Sequence, residues 1–171
     1  TVRVGGHEAV EAATTYEQSP VDELHDLVRV KWDAMDAWFE EDEEVFTHPR
    51  SPYARLDILP TSRRVVVEAA GEVVAESTQA HVLFETGLPA RYYLPKLDSR
   101  MDLLTATDQV THCPYKGQSE YWSINAGGRV HENAVWSYRH PLAESIRIAG
   151  LVSFDPAKVD VIVDGVKLPS R

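Results

Sequence analysis

From Arg63 onward the sequence keeps returning to one pattern: a short run of β-branched and aromatic residues, then glycine or proline, then another short run. That punctuation leaves no room for a long helix and predicts short strands joined by tight turns. "RRVVVEAA" (63–70) and "EVVAES" (72–77) read as a hairpin around Gly71. "HVLFET" (81–86) reads as a buried strand that "GLP" breaks, and "RYYLP" (91–95) as a strand ended by Pro95. "MDLL" (101–104) reads as a turn or short helix. "QVTHC" and "YWSINA" read as strands flanking the loop "PYKGQSE", and Gly127–Gly128 as a tight turn into the strand "RVHENAVWSY". "PLAESIRIA" (141–149) is predicted as a helix with proline near its start and Gly150 at its end, and "LVSF" and "VDVIVDG" as closing strands.

The N-terminal part reads differently. "DAMDAWFEEDEEVF" (33–46) sets Met35, Trp38 and Phe39 at helical spacing beside an acidic face, so an amphipathic helix is expected there. "HPRSPYARLD" (48–57) has two prolines and polar residues, so 48–60 reads as a linker. The segments 1–32 and 123–154 also share a frame: Gly5–Gly6 falls on Gly127–Gly128, Ala12 on Ala134, Tyr16 on Tyr138, Val30 on Val152 and Trp32 on Phe154. Residues 1–47 therefore read as the C-terminal half of a degenerate first copy of the domain, and 61–168 as the complete copy. A half-domain cannot bury its own core. It is expected to pack on the complete copy or to belong to a longer protein.

Composition excludes several functions. The net charge is −10, with much of the excess in "EEDEEV", and an acidic surface repels phosphate backbones, so no nucleic-acid partner is expected. No apolar run approaches the length of a membrane span, so no membrane partner is expected. One cysteine, Cys113, allows neither an internal disulfide nor a multi-cysteine zinc site, and a reducing cytoplasm is the expected setting. No cofactor and no metal are expected. A homo-oligomer is compatible with the sequence.

The chemistry-bearing residues cluster around "VTHCPYKGQSEYWSI" (110–124). Cys113 is a candidate nucleophile, but His112 beside it points to the opposite face of a strand, so His131 or His81 would have to act as base. Lys116 lies in a loop stiffened by Pro114, next to Gly117, where an anionic group can approach closely. Tyr115 shares that loop. Tyr92, Tyr93, Tyr121, Trp122, Trp136 and Tyr138 form an aromatic set in which alternation turns one of each adjacent pair inward. Glu85 ends an apolar strand, where a carboxylate is costly unless paired, and Arg91 is its expected partner. Asn133 stands in the strand leading to Trp136.

The runs "FETGLPARYYLPKLDSRMDLL", "THCPYKGQSEYWSI", "ENAVWSY" and "LVSFDPAKVDVIVDG" resemble, in order, a family known as domain of unknown function 427, also labelled nucleotidyltransferase-like. The resemblance covers about residues 55–167. It implies a mainly β fold, with small antiparallel sheets in a β-tent-like arrangement and one or two short helices. Some members carry the domain in tandem, and "WDAMDAWFEEDEEVF" looks like the join between copies. Related β-tent domains often hold zinc between cysteine pairs, which this sequence lacks. Neither a glycine-rich phosphate loop nor paired aspartates at metal-binding spacing is present.

Three functions follow as expectations. The first is a small-molecule-binding domain with an aromatic pocket formed by Glu85, Arg91, Tyr93, His112, Cys113, Tyr115, Lys116, Tyr121, Trp122, Asn133, Trp136 and Tyr138. The second is an enzyme using Cys113 or Lys116 on a carbonyl or phosphate-bearing substrate. The third is a structural or oligomerisation domain.

Overall fold

The structure, a computed structural model, describes residues 1–45, 53 and 55–170. These divide into two compact units. The first holds Thr1–Glu40 and the segment from Glu44; the second holds Glu41–Glu43 and the rest of the chain.

The first unit is a set of two-stranded pairs. β1 (Val2–Val4) pairs with β2 (His7–Ala9) around Gly5–Gly6, and β3 (Ala13–Thr15) pairs with β4 (Val28–Val30). The expected helix over 33–46 is not formed. A 3-10 turn at Trp32–Ala34 leads instead to a hairpin of β5 (Phe39–Glu40) and β6 (Glu43–Glu44); Phe46 lies outside the described residues. Two local forces oppose the helix. Like charges at Asp36, Glu40 and Glu44 would repel one turn apart. Trp38 stacks on Trp32 with ring centroids 4.8 Å apart, and its indole N–H donates to the Trp32 carbonyl at 2.8 Å. Of the unit's described apolar residues, Ala12 is the one that is fully buried.

The second unit is mainly β, as the turn punctuation predicts. β7 (Leu56–Thr61) is followed by β8 (Val65–Ala69), β9 (Glu72–Ser77), β10 (Ala80–Glu85) and β11 (Arg91–Leu94). β12 (Leu104–Cys113), β13 (Gly117–Ala126) and β14 (Arg129–Ser137) form a long meander. β15 (Val152–Phe154), β16 (Asp160–Val163) and β17 (Val166–Lys167) close the chain. A seven-stranded antiparallel sheet runs β12-β13-β14-β15-β11-β10-β7, and a four-stranded sheet runs β17-β16-β8-β9. The segment 141–149 forms a 3-10 turn at Ala143–Ile148 rather than an α-helix, with Ser145 at non-helical angles inside it.

β7 corrects the reading of 48–60 as linker. Pro60 is the next-to-last residue of β7, yet β7 is an edge strand, where a missing N–H disturbs no second ladder. Residues 48–52 and 54 lie outside the described residues.

Alternation sends the two faces of the large sheet into different clusters. Val135, Val152, Phe154, Leu94 and Ile124 join Val65, Val67 and Val161 of the four-stranded sheet in the main core, with Tyr92 and Trp122 packed against it. Ile58, Leu83, Tyr93, Tyr138 and Ile148 form a smaller cluster, with Trp136 and Leu56 packed against it. The hairpin turn at Gly127 comes so close to the Ala70 turn that a Cβ at residue 127 would stand 2.5 Å from the Ala70 Cβ.

Some local geometry occurs in both units. Val4 pairs with His7 across Gly5–Gly6, as Ala126 pairs with Arg129 across Gly127–Gly128. Glu11 and Asn133, each five residues past the second glycine of its turn, both have positive φ, at 55° and 49°. The Lys31 N–H donates to the Ala12 carbonyl at 2.8 Å, and the Asp155 N–H to the Ala134 carbonyl at 2.9 Å. Ala12 and Ala134 are both fully buried. The strand pairings correspond too. Thr15 stands opposite Val28 as Ser137 stands opposite Val152, and Ala13 opposite Val30 as Val135 opposite Phe154.

Candidate functional site

The smaller-cluster face of the large sheet is built by register. His81 pairs with Tyr93, Tyr93 with Ser153, Ser153 with Trp136, and Trp136 with Tyr121. Cross-strand partners share a face, and so do residues two apart along a strand. The row therefore carries Leu83 and Glu85 on β10, Arg91 on β11, and Ser119 on β13 to the same side. Leu83, Glu85, Leu88, Pro89, Arg91, Tyr93, Lys116, Tyr121, Trp136 and Tyr138 line a cleft of about 240 Å³ there. A neighbouring cavity of about 400 Å³ shares Glu85 and Leu88 with it, and has Tyr115, Arg55 and Glu144 in its wall.

Lys116 reaches the cleft from the three-residue loop between Cys113 and Gly117, which are paired across the hairpin. Gly117 takes the positive φ of 92° that such a loop needs to rejoin its strand. The loop is pinned from outside. The Leu142 N–H donates to the Lys116 carbonyl at 3.2 Å, and the Ser145 hydroxyl to the Tyr115 carbonyl at 3.1 Å. The Lys116 ammonium then donates to Glu85 Oε2 at 2.6 Å, with the two side chains 11% and 18% exposed. This replaces the expected Glu85–Arg91 pair. The β10–β11 register sets Arg91 opposite Leu83, one step along the face from Glu85, while the loop delivers an ammonium directly to the carboxylate.

Arg91 instead lies over the Trp136 ring, 5.6 Å from its centroid. Among the described residues no carboxylate pairs with it. The Trp136 indole N–H donates to the Tyr93 hydroxyl at 3.2 Å, and the two rings meet edge to face, 6.4 Å apart at 87°. Burial drives the Tyr93 phenol well above its ordinary value of 10.0. Burial also pushes Tyr138 up to about 12, with Cys113, Tyr121 and Glu85 adding to the effect and the Ser119 hydroxyl opposing it. At the far wall the Thr111 hydroxyl bridges Ser119 at 2.7 Å and Tyr121 at 2.9 Å.

Of the residues singled out in the sequence, Glu85, Arg91, Tyr93, Lys116, Tyr121, Trp136 and Tyr138 come together in this cleft. Tyr115 lines the neighbouring cavity. Four lie elsewhere. Trp122 pairs with Val135 and turns to the main core, where Lys96 lies 4.9 Å from its ring centroid. His112 is on the face opposite Cys113 by strand parity. Asn133 accepts a 2.6 Å hydrogen bond from Thr107 at a distorted stretch of the β13–β14 ladder. Cys113 is half-buried near Tyr138, and no hydrogen bond joins it to a histidine among the described residues. His131 bonds the Lys158 carbonyl, and His81 lies at the other end of the cross-strand row. Leu83, Leu88 and Pro89 were not anticipated. Leu83 was legible as the residue two before Glu85; Leu88 and Pro89 depend on how the 86–90 turn folds back. No group of three or more histidine, cysteine or carboxylate side chains is placed to hold a metal among the described residues. No helix among them is long and apolar enough to cross a membrane.

The fold is that of a mainly β domain of small antiparallel sheets, with the part-buried Lys116–Glu85 ion pair at the large sheet. Residues 57–165 match the family described as Domain of unknown function (DUF427), and the chain belongs to that family. A comparison with curated proteins finds no match.

Proposed function

We propose that the second unit is a small-molecule-binding domain and that its site is the cleft between β10, β11, β13, β14 and the Lys116 loop. The observation that carries this reading is the convergence of seven chemistry-bearing residues from five separate segments on one recess. Aromatic walls with a few fixed polar groups are the usual form of a ligand site. The Lys116–Glu85 pair is held by a loop that is itself hydrogen-bonded at two points, so it is preorganised before any ligand arrives.

The test is a thermal-shift screen against sugars, nucleotides and aromatic metabolites, repeated on Trp136→Leu. A ligand specific to the native state raises the melting temperature by mass action. A hit lost in the variant supports the reading; no hit across the library, or hits that ignore the substitution, sinks it.

We also propose that the first unit is the C-terminal half of a degenerate first copy of the domain. The shared hairpin register, the paired positive-φ positions Glu11 and Asn133, and the paired Ala12 and Ala134 carbonyl bonds support it. Glu85, Arg91 and Lys116 have no counterparts in that half, so one such cleft is expected per chain. Titration to a stoichiometry of two ligands per chain would overturn this.

A further inference from the structure

The charges around the cleft do not cancel. Glu85 is neutralised by Lys116 at 2.6 Å, which leaves the Arg91 guanidinium as the uncompensated charge of the lining. Arg91 is also oriented, because it lies over the Trp136 ring, and Trp136 is in turn fixed by its hydrogen bond to Tyr93. The guanidinium sits 5.6 Å over the indole centroid, and its forked N–H groups can bind an oxyanion in bidentate fashion. The remaining lining offers ring faces and the Tyr121 and Tyr138 hydroxyls. The volume of about 240 Å³ suits a small body rather than a nucleotide.

Resting on the cleft reading above, we infer that the ligand is a small anion with a planar body: an aromatic or unsaturated carboxylate, or the phosphate ester of such a ring. Its oxyanion binds the N–H edge of Arg91, and its ring lies against the tyrosine and tryptophan walls. The Lys116–Glu85 pair contributes little net charge. Its role is to close the end of the recess and to present one carboxylate oxygen to any hydroxyl the ligand carries.

The experiment uses the full chain labelled with ¹⁵N and four probes: benzoate, phenyl phosphate, benzamidine and benzyl alcohol. Titrations follow the Arg91 Nε–H and Trp136 indole signals, with Arg91→Gln and Arg91→Lys as variants. Each variant is first checked for an otherwise unchanged amide spectrum, so that loss of fold is not read as loss of binding. Benzoate or phenyl phosphate should move both signals, with affinity falling at least about tenfold in Arg91→Gln and less in Arg91→Lys. If benzamidine or benzyl alcohol moves the Trp136 signal as strongly as the anions, the anion assignment is wrong while the cleft remains a binding site. If no probe moves either signal, the anion assignment is also wrong, and the library screen decides the cleft separately.

Discussion

The Lys116 ammonium and the Glu85 carboxylate meet at 2.6 Å across 31 positions of sequence, and both side chains are largely withdrawn from water. Each group stabilises the other against a desolvation cost that neither could meet alone.

Removing one partner should therefore be worse than removing both. Lys116→Met or Glu85→Leu leaves a largely buried charge without its partner and should cost about 3 kcal/mol. The double variant Lys116→Met with Glu85→Leu should recover most of that. Urea unfolding of the three proteins measures it; additive losses would show that the pair is not an energetic unit.

His81 should make stability fall on mild acidification. Burial, with the Arg147 guanidinium adding to it, holds the imidazole below its ordinary 6.5. The unfolded chain then binds a proton that the folded chain resists, so stability is complete above pH 6.5 and declines as pH falls below it. Unfolding curves between about pH 7 and pH 5 should show a shallower decline in His81→Gln than in the natural chain.

Tyr138 should titrate late. Its phenol is pushed up to about 12, chiefly by burial, whereas an unfolded tyrosine ionises near 10.0. The folded state holds this proton more tightly, so its contribution is whole below pH 10.0 and is lost as pH rises toward 12. Absorbance near 295 nm (roughly where phenolate absorbs) should lose a late-titrating component in Tyr138→Phe; an unchanged titration curve would contradict the assignment.

Gly127 should not tolerate a side chain. It has φ of 55°, and an added Cβ would stand 2.5 Å from that of Ala70. Gly127→Ala combines backbone strain with a clash between two turns and should cost about 1–3 kcal/mol. Gly128→Ala shares the positive φ of 71° but meets nothing within 4 Å, so it should cost less. Thermal unfolding of the two variants gives the comparison.

Turn punctuation and short apolar runs are local signals, and the strands they mark from Val65 to Val163 stand close to where the punctuation puts them. The acidic segment misled because helical spacing of Trp38 and Phe39 is also compatible with a turn and hairpin, and stacking on Trp32 decided between them. Leu56–Thr61 was hidden by the prolines and polar residues of the stretch leading into it, and Pro60 within it is harmful in a central strand but harmless at an edge, a position not written in the segment itself.

The same division runs through the cleft. Sequence alone determined which residues carry chemistry, and that Tyr121 and Trp122, or Tyr92 and Tyr93, must part to opposite faces, because alternation is a property of the strand. Only the tertiary structure decided which member of each pair faces the recess, since that depends on cross-strand register from β10 to β13. It also decided that Glu85 pairs with Lys116 and leaves Arg91 to Trp136. Charge partners are chosen by distance in space, and a hairpin loop brought across the sheet delivers its lysine closer to the carboxylate than the neighbouring strand delivers its arginine.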